Sequence, residues 1–250
     1  MLFIIGPCAL ETIEQVKPIV SLCKKYEIKH FRAQLFKPRT RAHSFQGLGL
    51  SKQGLDIITY LKSEKMAIVS EAASIEQLES IISFADIVQI GARNMQNFEL
   101  LKNVGKILKN ASQEKPDSQF PCVMLKRGFA NTLEEWLASA NYLEIGGVPS
   151  SHIILCERGT RNFSSPTGIT LDLAMAYKAQ QISKYRVIVD PSHGTRERGL
   201  VIPLTKASIA IGVDGVMIEV HPKPWESVSD PAQALSIEEL DAYLAVNFAK

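Results

Sequence analysis

A chain of 250 residues with 46% hydrophobic and 22% charged residues has enough apolar material for a sizeable core and does not have the composition of a disordered segment. Basic residues exceed acidic ones by only 28 − 26 = 2, so no strong field exists to attract nucleic acid or anionic lipid. No apolar run approaches the roughly 20 residues that span a bilayer, and Met1–Ile5 meets Gly6-Pro7 without the features of a signal peptide. The reading is a soluble, cytoplasmic protein with no nucleic-acid or membrane partner. Its four scattered cysteines (Cys8, Cys23, Cys122, Cys156) do not form a disulfide framework.

In chain order, short β-branched runs alternate with amphipathic segments. A strand at Leu2–Ile5 precedes a helix over Glu11–Tyr26, where Ile13, Val16, Ile19, Val20 and Cys23 recur at helical spacing. Strands follow at His30–Leu35 and Met66–Glu71. The helix over Ser74–Phe84 opens with Ser74 and Gln77, a capping-box signature. Strands at Ile87–Ile90 and Cys122–Lys126 lead to a helix over Thr132–Ile145, which repeats that signature with Thr132 and Glu135. Then come a strand at His152–Glu157, a helix at Leu171–Gln181, a strand at Arg186–Asp190, a helix at Leu204–Ile211 and a strand at Gly215–Val220. A closing helix covers Ile237–Phe248. The eight strands start 21 to 36 residues apart and are mostly continuously apolar, as parallel strands buried on both faces are. No linker or low-complexity tract divides them. The expected fold is α/β, a single (β/α)8 TIM barrel domain over residues 1–250. A doubly wound open sheet fits less well, because the first strand–helix turn lacks a glycine-rich dinucleotide fingerprint.

In such a barrel, chemistry collects at the C-terminal ends of the strands. Polar residues crowd there: Cys8, Lys37-Pro38-Arg39-Thr40, Glu71, Arg93, Lys126-Arg127, Glu157-Arg158, Asp190-Pro191-Ser192-His193 and Glu219-Val220-His221, with Asp230 just beyond. One basic residue past a strand is usually a solvated loop residue, but the second, fourth, fifth and sixth strands all send Arg or Lys to this rim. Converging cations repel one another unless an anion lies between them, and both guanidinium and ammonium groups bind phosphate well. The expected ligands are phosphorylated small molecules, two phosphates using these cations more fully than one. Cys8, His193, Glu219 and Asp230 come from neighbouring parts of a closed barrel and suit a divalent transition metal such as Zn, Mn, Fe or Co. The spacing leaves plainer roles open: Cys8 as a small buried hydrophobe, His193 as a structural or phosphate-binding histidine. Cys23, Cys122 and Cys156 read as packing residues.

Eight motifs then occur in order: Gly-Pro-Cys at 6–8, Lys-Pro-Arg-Thr at 37–40, Ser-Phe-Gln-Gly-Leu-Gly at 44–49, Gln-Ile-Gly-Ala-Arg-Asn-Met-Gln-Asn-Phe at 89–98, Leu-Lys-Arg-Gly at 125–128, Leu-Cys-Glu-Arg-Gly at 155–159, Asp-Pro-Ser-His at 190–193 and Glu-Val-His-Pro at 219–222. Over nearly its whole length the chain resembles the 3-deoxy-D-arabino-heptulosonate-7-phosphate synthase family in its short-barrel form. The resemblance implies condensation of phosphoenolpyruvate with erythrose 4-phosphate, the first step of the shikimate pathway, with a divalent metal as cofactor. It implies Cys8, His193, Glu219 and Asp230 as metal ligands and Lys126, Arg158 and Arg93 as phosphoenolpyruvate contacts. Lys37 would stand close to both substrates, with Arg39, Thr40 and Arg32 toward the acceptor. Lys126 or His193 would relay protons, and a homo-oligomer, dimer or tetramer, is expected.

The related 3-deoxy-D-manno-octulosonate-8-phosphate synthases share donor and chemistry but carry a Lys-Ala-Asn-Arg-Ser-type string where this chain has Lys-Pro-Arg-Thr. A barrel that binds phosphometabolites without catalysis would be expected to lose metal ligands, and all four are present. The chain departs from the family at Arg41-Ala42-His43, in the acceptor loop, and at Gly146-Gly147 and Gly168-Ile169-Thr170. His43 reads as solvated. The first strand starts at once, which leaves no length for an appended regulatory domain or a hairpin under the barrel. The matching expectation is an enzyme without intrinsic response to Phe, Tyr or Trp.

Overall fold

Parallel strands buried on both faces can satisfy their backbone without an exposed edge by closing on themselves, and this chain does so. In the computed structural model, which describes residues 1–112 and 120–248, eight parallel strands form a closed barrel. They are β1 (Leu2–Gly6), β2 (His30–Arg32), β3 (Ala67–Glu71), β4 (Ile87–Ile90), β5 (Cys122–Lys126), β6 (Ile153–Glu157), β9 (Arg186–Val189) and β10 (Gly215–Glu219). A small antiparallel hairpin, β7 (Thr160–Arg161) with β8 (Ile169–Thr170), interrupts the rhythm after β6. The sequence reading did not foresee it, because two-residue strands carry no periodicity.

The helices are α1 (Ile13–Lys25), α2 (Lys52–Ser63), α3 (Ile75–Ile81), α4 (Phe98–Ala111), α5 (Leu133–Gly146), α6 (Leu173–Ile182), α7 (Pro191–Thr195), α8 (Arg198–Ala210) and α9 (Ile237–Phe248). Thr132 and Glu135 form the reciprocal capping box expected of them. At α3 the box is half made: Ser74 caps the Gln77 amide, but the Gln77 side chain accepts from the Ala73 N–H instead of that of Ser74. Helix α8 begins before the expected Leu204 and carries Pro203 on its exposed side, where water can satisfy the carbonyl that the proline cannot bond.

Helices α2 and α4 were not marked in the sequence, and each holds a glycine that lowers helix propensity: Gly54 and Gly105. Packing overrides that penalty. Helices α4 and α5 approach so closely that a methyl group on Gly105 would stand 2.7 Å from the Gly146 backbone. Two further apolar layers fill the space between strands and helices, and Trp136 of α5 is wholly buried there with its indole N–H donating to the Leu125 carbonyl. That bond fixes the backbone one residue before Lys126. No helix among the described residues is long and apolar enough to cross a membrane.

Gly105→Ala should therefore overpack the α4–α5 contact and lower stability by about 1–3 kcal/mol. Equilibrium denaturation of the variant beside the parent measures it; an unchanged midpoint would show that the two helices can part without cost.

Candidate active site

Side chains on a strand alternate between faces, so each barrel strand supplies an interior residue at every second position. Val69, Ile87, Met124, Ile188 and Met217 belong to one apolar cluster inside the barrel, with Ile4, Ile154 and Cys156. Two residues further along the same strands stand Glu71, Gln89, Lys126, Asp190 and Glu219, all buried. The barrel interior thus changes from apolar to polar in one step of the pleat. Arg32 ends β2 at the same level, 1% exposed, with Nη1 3.7 Å from Glu219 Oε2.

Asp190 organises much of this layer. Its Oδ1 accepts from the His193 backbone N–H and caps α7, while its Oδ2 lies 2.6 Å from Lys126 Nζ and 2.8 Å from His193 Nδ1. The imidazole contact is an ion-pair distance rather than an aligned hydrogen bond. Burial opposes ionisation of Asp190, but the nearby cations Lys126 and Arg32 favour it and the carboxyl is held well below the usual range. Burial, reinforced by Lys126 and Arg32, keeps the His193 imidazole well below its own range despite Asp190, so the ring is neutral at physiological pH.

The opposite edge of His193 faces a second group of donors. Cys8, His193, Glu219 and Asp230 each present one ligand atom, and these atoms lie within 4.8 Å of one another. The Cys8 thiol donates to Asp230 Oδ2 at 2.8 Å; His193 Nε2 is 3.7 Å from Cys8 Sγ and 3.9 Å from Glu219 Oε2. Burial and the nearby Glu219 push the Cys8 thiol up to about 11, and burial pushes Glu219 up to about 7 against the pull of Arg32. Glu219 Oε1 is buried with no hydrogen-bond partner among the described residues. A thiol, a neutral imidazole and two carboxylates crowded in this way fit a divalent transition metal, whose charge would replace the protons the site otherwise retains.

Asp230 reaches the group from the loop after β10. Leu235 returns to pair with Val220, and Glu11 Oε1 accepts from the Ser227 hydroxyl and the Val228 amide, both at 3.3 Å, so the loop is tied at both ends. Asp230 itself takes a left-handed φ of 56°, which aspartate tolerates better than most residues. Lys37 donates to Cys8 and lies 3.5 Å from Asp230, and Arg39 donates to the Ser229 hydroxyl.

Above these groups opens a cavity of about 610 Å³. Arg32, Lys37, Arg39, Thr40, Arg93, Lys126, Arg158, His193 and Asp230 all line it, whereas Cys8 and Glu219 lie buried beneath. Arg41 and Arg196 raise its basic residues to eight, against two carboxylates, Glu71 and Asp230. The near-neutral chain has gathered its cations in one place, which suits an anionic ligand with more than one charged group. The backbone on either side of Arg158 is anchored, though its side chain is not: Glu157 pairs with Arg127 at 3.0 Å and accepts from the Gly159 amide at 2.7 Å. Gly159 has φ 85°, and a methyl group there would meet the Gly194 backbone at 2.9 Å.

Sequence reasoning left Arg41, Arg196, Gln89, Gln233, Glu71 and Asp190 without site roles. Glu71, Gln89 and Asp190 could have been found by counting two residues on from the apolar interior positions. Arg196 itself takes the left-handed conformation that closes α7, and Gln233 depends on the return of Leu235, so neither has a local signal. His43 is exposed, as expected, and so is Arg41 despite its place at the cavity rim; Cys23 and Cys156 are buried. Cys122 is only half-buried at the other end of the barrel, where Arg186 donates to it, a correction to its reading as core.

The DAHP synthetase I family matches residues 1–248. A Thermotoga maritima protein named phospho-2-dehydro-3-deoxyheptonate aldolase is 42% identical over 94% of this chain, which spans 65% of that relative's length. A crystal structure of the Thermotoga maritima phospho-2-dehydro-3-deoxyheptonate aldolase (DAHP synthase) superposes with a TM-score of 0.88 at 38% identity, covering 99% of this chain and 68% of that one. A 2-dehydro-3-deoxyphosphooctonate aldolase of Fusobacterium nucleatum is 26% identical over 97% of this chain and 87% of its own length. Whole-length agreement in sequence and fold settles the kinship: the chain belongs to the DAHP synthetase I family.

Proposed function

We propose that the chain condenses phosphoenolpyruvate with erythrose 4-phosphate to give 3-deoxy-D-arabino-heptulosonate 7-phosphate and phosphate. The observation that carries this reading is a cavity with eight basic residues directly above a four-donor metal set. Two phosphorylated substrates account for the cations, and an aldehyde accounts for the metal set. The Lys-Pro-Arg-Thr string at 37–40 and the higher identity to the heptonate enzyme than to the octonate enzyme support erythrose 4-phosphate as acceptor.

Lys126, Arg158 and Arg93 bind the phosphate and carboxylate of phosphoenolpyruvate, and Lys37 stands between the two substrates. Arg39 and Thr40, with Arg32 below them, orient the acceptor phosphate and hydroxyls. Cys8, His193, Glu219 and Asp230 would hold the divalent ion (Mn, Zn, Co or Fe), which, when bound, supplies Lewis-acid polarisation of the aldehyde oxygen. The methylene carbon of the enol then bonds to the aldehyde carbon, and water adds to the carbon bearing the phosphate. Collapse of that hemiketal expels phosphate and leaves the ketone, the hydroxyl giving up its proton. The surrounding cations stabilise negative charge as phosphate leaves. His193 would commit Nε2 to the metal and turns Nδ1 toward Asp190, so Lys126 Nζ is the better group to pass a proton to the alkoxide.

Asp190 positions both His193 and Lys126, and partners of this kind fix the ring orientation of a metal-bound histidine. Chelation should abolish formation of heptulosonate phosphate, and Mn, Co or Zn should restore it; full turnover by the chelated protein would remove the metal from the reaction. Asp190→Asn should weaken cobalt binding about 10- to 100-fold in a spectroscopic titration, and unchanged affinity would show that Asp190 does not orient the ligand.

Arg158→Ala and Lys126→Ala should each raise the KM for phosphoenolpyruvate more than that for the acceptor, through loss of a charge-assisted contact worth about 1.5–3 kcal/mol. Arg39→Ala should show the reverse. Equal effects on both substrates in initial-rate measurements would refute the division of the cavity.

A further inference from the structure

Phe129, in the loop after β5, lines the cavity but has no part in binding anions or metal. Three guanidinium groups stand over its ring: Arg158 at 5.0 Å, Arg161 at 5.2 Å and Arg93 at 5.6 Å from the centroid. They come from three places: the turn after β4, the loop after β6 and strand β7. Their mutual repulsion opposes this gathering, while the electron-rich face of the ring attracts each of them.

These arginines have little else to hold them. Among the described residues none of the three stands at ion-pair distance from a carboxylate. Arg93 Nη2 donates to Thr40 Oγ1 at 2.8 Å, and Arg158 Nη1 approaches only the carbonyl of its neighbour Gly159, at 3.4 Å. The backbone that carries the ring is anchored: the Arg161 backbone N–H donates to the Phe129 carbonyl at 2.8 Å, which ties the β7–β8 hairpin to the loop after β5. A long arginine side chain needs such a partner to hold one rotamer. A carboxylate would supply the order but would also cancel the charge that an anionic substrate must find. An aromatic face supplies order and leaves the charge available.

We propose that Phe129 is a positioning residue that holds Arg93 and Arg158 in place for phosphoenolpyruvate without neutralising them. The inference rests on the reading of those two arginines as phosphoenolpyruvate contacts. It assigns a role to the β7–β8 hairpin as well, since that hairpin seats the ring and brings the third guanidinium. It separates Phe129 from a packing residue, because packing requires volume and this role requires a π face.

The test uses Phe129→Leu, which keeps apolar volume and removes the ring, beside Phe129→Tyr, which keeps the ring. Phosphoenolpyruvate binding to the metal-loaded chain is measured by calorimetry, and initial rates are measured with both substrates. Phe129→Leu should raise the Kd and KM for phosphoenolpyruvate about tenfold, leave the KM for erythrose 4-phosphate within about twofold, and melt close to the parent. Phe129→Tyr should restore phosphoenolpyruvate affinity to within about twofold of the parent. Parent-like affinity in Phe129→Leu would overturn the proposal, as would a Tyr variant as weak as the Leu variant. A parent that binds phosphoenolpyruvate yet makes no heptulosonate phosphate, with binding still weakened in Phe129→Leu and kept in Phe129→Tyr, would support the role of the ring and refute the proposed reaction. A parent that does not bind phosphoenolpyruvate would overturn both.

Discussion

One buried carboxylate, shared between a lysine and a histidine, joins the two halves of this site. Asp190 stands between Lys126 on the side of the basic cavity and His193 on the side of the cluster of Cys8, Glu219 and Asp230, and it caps the short helix that carries His193. A buried pair of this kind costs desolvation to form and about 3–5 kcal/mol to break from one side. Its value lies in geometry: it fixes an ammonium group and an imidazole relative to each other from different strands. The closed barrel makes this possible, because β5, β6 and β9 are consecutive neighbours in register and bring Lys126 beside Cys156 and Glu157 beside Val189.

Alternation of side chains along the strands gathers the chemistry at one end of the barrel interior. Five of the eight strands contribute an apolar interior residue and, one step of the pleat later, a polar one. The lower layer gives the polar layer a floor; of the upper layer, Glu71, Gln89 and Lys126 open to the cavity, while Asp190 and Glu219 stay buried beneath it. Burial then sets protonation: the thiol of Cys8 and the carboxyl of Glu219 resist ionisation, whereas Asp190 and Asp230 remain charged because cations surround them. A metal ion would meet a site already partly ionised and already shaped.

Much of this was legible in the sequence. The barrel strands are continuous apolar runs, and strand ends carry arginines, lysines, thiol, imidazole and carboxylate groups, so Arg93, Lys126, Arg158, His193 and Glu219 could be located from the strand pattern alone. What lay beyond that reading depends on contacts between distant segments. Helices α2 and α4 exist despite Gly54 and Gly105, because close packing needs those glycines. The hairpin β7–β8 is too short to have a period. Arg196 and Gln233 reach the cavity through a left-handed turn and a returning loop. The sharing of Asp190 can be seen only when β5 and β9 stand on either side of β6.

In the proposed reaction the two halves of the site act on two phosphorylated substrates, one of them a four-carbon aldose phosphate. Phosphate release from phosphoenolpyruvate by one metal-loaded preparation, with erythrose 4-phosphate or arabinose 5-phosphate in parallel, tests it most directly. The account predicts rapid release with erythrose 4-phosphate, an equimolar amount of the seven-carbon product, and little turnover with arabinose 5-phosphate. Preferential turnover of arabinose 5-phosphate, or no release with either acceptor, would contradict it.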